Sequence, residues 1–532
     1  HRAWAKQGVW VRGALAKLHT VAQCDDDSEG RGVANRAGAS GEEERDRRPM
    51  RAWWAGIALG ASSDRQGLLK LPLQLVARRR HQRALVVALG LGLPTRRGVA
   101  ALGHLVLFLT SLAYGQDPAV QTPHQERVPH IDRQGRILHR YDPEKSFFML
   151  ASWGVPESRI YKGIDYRWHH LVDAGYNCVW PWPMGGYTTD RQLSQAKEHG
   201  LQVVLMRRPS GEALTTIADH PNLMGIVWQD EPLINYPLEQ QGQQVEEFKA
   251  FRSEVKSIAP DLPVFVNTAS WMIGNGREHW IRWHKESDVS CHDNYVIWPK
   301  TRSLNLGSYG TEKNGIADSV SLAARLSEGR KPVWLVVGAF ETEHPASVQF
   351  PFRYPTPDQL RSMVYTGLIH GATGVVYYAW DSNVTRFGIA PQQQPEIPGR
   401  PTATPIQALQ AEVLWKTVAQ LNRELRQLAP VLLSPTISDV EYSVRFEGES
   451  ITETPIRTLL KPLSKDEWVL LMVNMDDAVL NATLEFDRII ESAEWMFEGS
   501  PVLKREEVGS SFEVLFEPFT TRVLRLQPGG GE

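Results

Sequence analysis

From Phe147 to Leu428, short apolar runs of strand length alternate with longer segments whose apolar positions recur at helical spacing. The runs fall at residues 147–153, 176–180, 202–206, 226–228, 264–267, 289–293, 333–339 and 374–379. Most are apolar without alternation, as expected of parallel strands covered by helices on one face and packed on the other. The run at 289–293 is unusually polar. Helices are predicted at 166–174, 190–199, 212–219, 244–258, 278–284, 318–328, 358–370 and 406–428. Eight βα units in series predict a TIM (β/α)8 barrel over residues 146–429.

After Pro430 the pattern changes to period-two alternation at 440–446, 468–473, 482–486, 512–516 and 521–526. No strong helical pattern interrupts it. Residues 430–532 therefore read as a small C-terminal antiparallel β-sandwich, with packing support for the barrel as its expected role and sugar binding as the alternative.

The first part of the chain is different. Residues 1–93 are rich in Arg, Gly and Ala without sustained periodicity, and are expected to be non-native upstream translation or a disordered extension. Arg96-Arg97, an apolar run at 99–112, and small residues Ala113 and Gly115 make residues 94–115 a signal peptide cleaved after Gly115. The run is too short for a comfortable membrane span, so no span is expected after cleavage. Residues 116–145 are a lead-in, and the product is expected to be secreted or periplasmic.

Composition narrows the function classes. A chain of 532 residues with 42% hydrophobic residues can bury a large core in more than one domain. A net charge of -3, with no basic stripe after residue 97, argues against a nucleic-acid partner. Cys24, Cys178 and Cys291 form no CxxC pair or disulfide framework. His169-His170 and the isolated His292 lack HExxH-type spacing, so no metal is expected. Walker, dinucleotide and GxSxG signatures are absent, and no cofactor is implied.

The informative chemistry lies where the strands end. The fourth run leads into Gln229-Asp230-Glu231-Pro232, two acids at the position where a barrel strand reaches the active-site face. Around that face the other strand ends supply Trp153, Trp180 and Trp182, Arg207, Asn267 with Trp271, His292-Asp293-Asn294-Tyr295, Glu341, and Trp380-Asp381. Aromatic rings interleaved with acids and amides suit a sugar, whose ring faces are apolar and whose edges carry hydroxyls. The 18 tryptophans fit the same reading. An oligo- or polysaccharide is the expected partner, while oligomeric state has no sequence signal.

On these residues the chain resembles the retaining glycoside hydrolases of clan A, built on a (β/α)8 barrel. The resemblance covers about Phe147 to Leu428. It implies Glu231, at the end of strand four, as acid/base and Glu341, at the end of strand seven, as nucleophile. The β-rich tail also looks like an accessory domain of such enzymes. Where that clan has asparagine before the acid/base, this chain has Asp230, which removes the expected amide contact to the sugar 2-hydroxyl. Glu343 competes with Glu341 on strand seven.

Glu231, beside Trp228, would hold its proton as general acid, and Tyr295, Arg207 or His292 would tune the nucleophile. Asp293 is the rival second carboxylate. Facing Glu231 across a wider gap, it would make the enzyme inverting. A carbohydrate-binding barrel without catalysis is the alternative from another class.

Overall fold

The computed structural model describes residues 147–155, 160–161, 164–165, 168–181, 189–299, 301–304, 314–342, 352–380, 386–390, 403–437, 439–446, 455–497 and 509–529. The expected signal segment 94–115, the stretches 1–93 and 116–145, and Cys24, Trp182, Glu343 and Asp381 lie outside the described residues.

Eight parallel strands close into a barrel. They are β1 (Met149–Val155), β2 (Cys178–Pro181), β3 (Gln202–Leu205), β4 (Leu223–Asp230), β5 (Val264–Ala269), β6 (Ser290–Asn294), β7 (Val333–Gly338) and β8 (Gly374–Tyr378). Each pairs with its neighbours in sequence, and β1 closes the ring against β8 in the register Met149↔Gly374 through Trp153↔Tyr378. The surrounding helices are α1 (Trp168–Asp173), α2 (Thr189–His199), α3 (Gly211–Ile217), α4 (Gln241–Ile258), α5 (Ile273–Glu286), α6 (Ile316–Ser327), α7 (Pro357–Ile369) and α8 (Pro405–Leu432). The fold is the predicted TIM barrel, with strand ends shifted by a few residues.

Alternation along each strand sorts side chains between two apolar layers. Ala151, Trp153, Trp180, Val204, Val227, Phe265, Cys291, Trp334, Val336 and Tyr378 fill the barrel interior. Leu150, Val179, Val203, Ile226, Trp228, Val264, Leu335 and Val375 pack outward against the helices. The interior is largely aromatic. Trp180 lies 5.0 Å from Trp153, 5.7 Å from Phe265 and 6.3 Å from Trp334, centroid to centroid. Gly374 makes room for this plug, because a Cβ there would stand 2.6 Å from Trp334 Cδ1.

The polar strand β6 works because its outward residues meet polar groups of α6. Ser327 donates to Ser290 Oγ at 2.8 Å, and Ser319 meets both His292 (3.1 Å) and Asn294 (3.0 Å). Helices α7 and α8 both open with a Thr-Pro-x-Gln capping box, Thr356 with Gln359 and Thr404 with Gln407. Helix α8 runs on to Leu432 with Pro430 in its last turns, beyond the expected end at residue 428.

Seven antiparallel strands follow: β9 (Tyr442–Phe446), β10 (Ile456–Pro462), β11 (Trp468–Asn474), β12 (Leu480–Phe486), β13 (Ile490–Trp495), β14 (Ser511–Phe516) and β15 (Thr521–Pro528). They form two sheets, β9-β12-β14 and β10-β11-β15-β13, with a shared core that includes Leu470, Met472, Leu484, Val514 and Leu524. The other face of the four-stranded sheet, through Val469, Leu471, Val473 and Val523, joins the core of the barrel's helical layer. Ser362 of α7 donates to the carbonyl of Phe519 at that seam. Strands β10 and β13, which the alternation did not predict, are the two edges of this sheet. Arg457, Lys461, Glu491 and Glu494 break their apolar pattern, as charged residues on edge strands do. Among the described residues no helix is long and apolar enough to cross a membrane.

Candidate active site

The polar centre of the barrel mouth is Asn267. It follows Phe265 on the inward track of β5 and is fully buried. Its Nδ2 donates to Asp230 Oδ1 at 2.9 Å and to Asp293 Oδ2 at 2.8 Å, so one amide joins carboxylates of β4 and β6. Its Oδ1 accepts from Cys291 Sγ at 3.5 Å. Burial, and then the nearby carboxylates of Asp293 and Asp230, push the Cys291 thiol up, which keeps it an S–H donor. The thiol thereby fixes which end of the amide faces the acids. The two carboxylate oxygens sharing one amide nitrogen stand no more than about 5.7 Å apart.

A register irregularity between Val227 and Gln229 of β4 turns Asp230 inward. Trp228 faces the other way, packing on Phe248 and Trp283 of the helical layer, each at 5.7 Å. The expected shielding of Glu231 by Trp228 is therefore corrected: alternation from the inward Val227 sends the indole outward. Arg208 covers it, 4.0 Å above the ring and donating to its carbonyl at 2.7 Å.

Glu231 itself has φ 45° and ψ 56°, a left-handed conformation uncommon outside glycine. Its N–H donates to the Asn267 carbonyl at 2.8 Å, and its own carbonyl accepts from Ile234 and Asn235 in the single turn that Pro232 begins. Asn235 Nδ2 holds the Asp230 carbonyl at 2.8 Å. The Asp-Glu corner is thus tied to β5 by backbone and side chain together.

Aromatic residues wall the other side. Tyr295 stacks on Tyr378 at 5.7 Å and meets Phe340 edge-on at 5.2 Å and Phe352 at 5.8 Å. Gly338 permits this, since a Cβ there would come within 3.0 Å of the Tyr295 ring. Trp153 meets Tyr378 edge-on at 5.4 Å. Trp153 and Trp180 are buried, so they form the floor beneath the mouth and not an open rim.

Glu341 lies three residues beyond the end of β7 at Gly338. With Thr342 it forms a short antiparallel ribbon against Arg386–Phe387, separate from the barrel sheet. Its Oε1 accepts from Gln407 Nε2 at 2.7 Å and its Oε2 from the Tyr354 N–H at 3.4 Å. Gln407 is the capping-box glutamine of α8, so Glu341 ties that helix start to the barrel top.

His292 is buried in the helical layer between Ser319 and Trp280, where burial pushes it down to about 3. Trp380 packs in the same layer, and Trp271 lies partly buried against it. Arg207 is half-buried just beyond β3. Residues the sequence reading missed are Cys291, Gly338, Phe340 and Tyr378. For Cys291 and Tyr378 the signal was parity: Cys291 shares the inward track with Asp293, and Tyr378 with Val376. Among the described residues no group of three or more His, Cys, Asp or Glu side chains is placed to hold a metal ion.

No protein-family model matches the chain, and no curated protein does. Solved structures do show similarity of chain course. An α-amylase from Anoxybacillus is 11% identical with a TM-score of 0.39, covering 72% of this chain and 99% of its own. A GH42 β-galactosidase from G. stearothermophilus is 9% identical with a TM-score of 0.42, covering 73% and 99%. A β-galactosidase from Rahnella sp. is 10% identical with a TM-score of 0.42, covering 73% and 99%. These likenesses are distant.

Proposed function

We propose that the chain is a glycoside hydrolase that acts on an oligo- or polysaccharide at the barrel mouth, with Glu231 as general acid and Asp293 as its partner. The observation that supports this most directly is the Asn267 amide shared by Asp230 and Asp293. An amide N–H only donates, so both aspartates meet it as acceptors, the role an ionised carboxylate fills. Glu231, next in the chain and held in a costly backbone conformation at the same corner, is the acid this reading assigns to proton donation.

In this mechanism Glu231 protonates the glycosidic oxygen as the bond to the anomeric carbon breaks. Asp293 takes a proton from a water attacking the opposite face, and Asp230 keeps Asn267 in place. Strands β4 and β6 are separated by β5 alone, and inversion requires the Glu231 and Asp293 carboxyl groups to stand roughly 6.5–9.5 Å apart, with room for that water. The retaining alternative, with Glu341 as nucleophile, requires its carboxylate to leave Gln407. Asp293 is therefore preferred. The stacked Tyr295–Tyr378 pair offers the sugar an apolar wall.

The test compares Glu231→Gln and Asp293→Asn on a panel of nitrophenyl and dinitrophenyl glycosides. A lost general acid costs most where the leaving group is poor, so Glu231→Gln should retain activity on dinitrophenyl substrates. Asp293→Asn should lose both. Equal losses for Glu231→Gln on the two substrate types would sink the acid assignment. Export to the periplasm or beyond is part of the proposal and rests on the signal-like residues 94–115; a mature N-terminus at Gln116 is the expected product.

A further inference from the structure

A cavity of about 720 Å³ opens at the seam between the barrel and the β-sandwich. One side is Pro299, Thr301 and Arg302, which follow β6; another is Arg353 with the first turn of α7; the third is Asp477, Pro518 and Phe519 of the sandwich. Its volume is in the range of small-molecule sites, roughly 300–1,000 Å³. None of these residues belongs to the Asp230–Asn267–Asp293 cluster.

The lining has a definite chemistry. Arg353 is fixed in place: its Nε donates to the Trp298 carbonyl at 3.0 Å, and its Nη1 to the Tyr354 carbonyl and Gln359 Oε1, both at 3.0 Å. That leaves Nη2 of a rigid, half-buried guanidinium for a ligand. Arg302, Asp358 and Asp477 are exposed, and among the described residues their side chains take part in no ion pair. Two guanidiniums and two carboxylates balance in charge, which disfavours an anion and disfavours a metal ion. Alternating donors and acceptors beside Phe519, Pro299 and Pro518 match a neutral pyranose, with hydroxyls at its edge and C–H groups on its faces.

We infer that this seam is a second carbohydrate-binding site, taking a neutral sugar unit of an oligosaccharide away from the catalytic mouth. The choice of a sugar rests partly on the glycosidase reading, whereas the charge balance and the lining stand without it. The site would hold a long substrate, and a short one bound at the mouth is expected to be unaffected, since the cavity shares no residue with the Asp230–Asn267–Asp293 cluster. Binding energy from remote parts of a substrate can then lower KM for long chains.

The experiment uses the full chain carrying Glu231→Gln, probed on an array of neutral, uronate-bearing and sulfated oligosaccharides. Binding of each retained glycan is then measured by calorimetry with and without Arg302→Ala and Asp477→Ala. Both changes are at exposed side chains, so the thermal unfolding midpoint should stay the same and confirm folding. The expected result is retention of neutral glycans and at least tenfold weaker binding in the double variant. Hydrolysis of nitrophenyl glycosides by the otherwise wild-type double variant should be unchanged. Retention of uronate or sulfated glycans alone, unaltered affinity in the double variant, or no retained glycan at all would each overturn the site. Failure of the glycosidase reading looks different: no aryl glycoside is cleaved, while neutral glycans still bind in an Arg302- and Asp477-dependent way.

Discussion

Asn267 donates an amide hydrogen to Asp293 across 2.8 Å, and this bond joins the fifth and sixth strands at the level where the barrel opens. The same nitrogen serves Asp230, so two carboxylates lean on one buried donor. Asn267→Ala removes that donor and leaves like charges facing each other. The expected result is a fall in kcat of about a hundredfold or more, with a stability loss of roughly 1–3 kcal/mol. Steady-state kinetics alongside urea unfolding would separate the two effects; unchanged kcat would show that the bridge is structural only.

Glu341 is expected to matter for stability. Its carboxylate accepts from Gln407, whose Oε1 accepts the Thr404 N–H at the start of α8. Glu341→Leu should cost about 1–2 kcal/mol, the value of a cap-linked hydrogen bond lost with its partner left behind. The change would appear as a lower urea midpoint, and Gln407→Leu should give a similar shift. The two changes together should cost less than the sum of the singles, because they break one interaction.

At the opposite end of the barrel, Asp288 is buried just before β6. It pairs with Arg252 and with Lys256 of α4, the latter at 3.0 Å, and accepts the Val264 N–H at 2.9 Å. Asp288→Ala strands a buried Lys256 charge and should cost about 3–5 kcal/mol, as breaking one side of a buried ion pair does. The residue lies far from the mouth in the strand direction. Folded Asp288→Ala protein at low temperature should therefore keep its kcat, and a denaturant series shows whether the loss is one of stability.

Three buried histidines predict acid sensitivity. Burial pushes His292 and His370 down to about 3, and burial with His292 and Lys331 nearby pushes His284 well below its ordinary value. The unfolded chain takes up protons near pH 6.5, whereas these native side chains refuse them until far lower. Stability is therefore full above about pH 6.5 and falls as pH drops toward about 3, by about 1.4 kcal/mol per pH unit for each such histidine. Urea midpoints between about pH 7 and pH 5 should show this decline. His370→Asn should shallow it by the share of one histidine, and an unchanged slope would contradict a neutral His370.

The eight barrel strands were legible because each is buried on both faces and reads as an apolar run. Strand β6 was legible in spite of its polarity, since Cys291 and Asp293 point inward while Ser290, His292 and Asn294 meet serines of α6. Sequence parity could not reveal the bulge after Val227, which turns Asp230 inward. Nor could it place Glu341, because β7 ends at Gly338 and Glu341 opens a separate short ribbon with Arg386–Phe387. The edge strands β10 and β13 stayed hidden because their charges imitate loop sequence.

The central claim is that Asp293, and not Glu341, works with Glu231. The most direct measurement is kcat for Asp293→Asn and for Glu341→Gln on the same dinitrophenyl glycoside, each variant first shown to be folded. Asp293→Asn should lose about a thousandfold or more, and Glu341→Gln should stay within a few-fold of the parent chain. The reverse order, with Glu341→Gln inactive and Asp293→Asn nearly intact, would contradict the account and restore the strand-seven nucleophile.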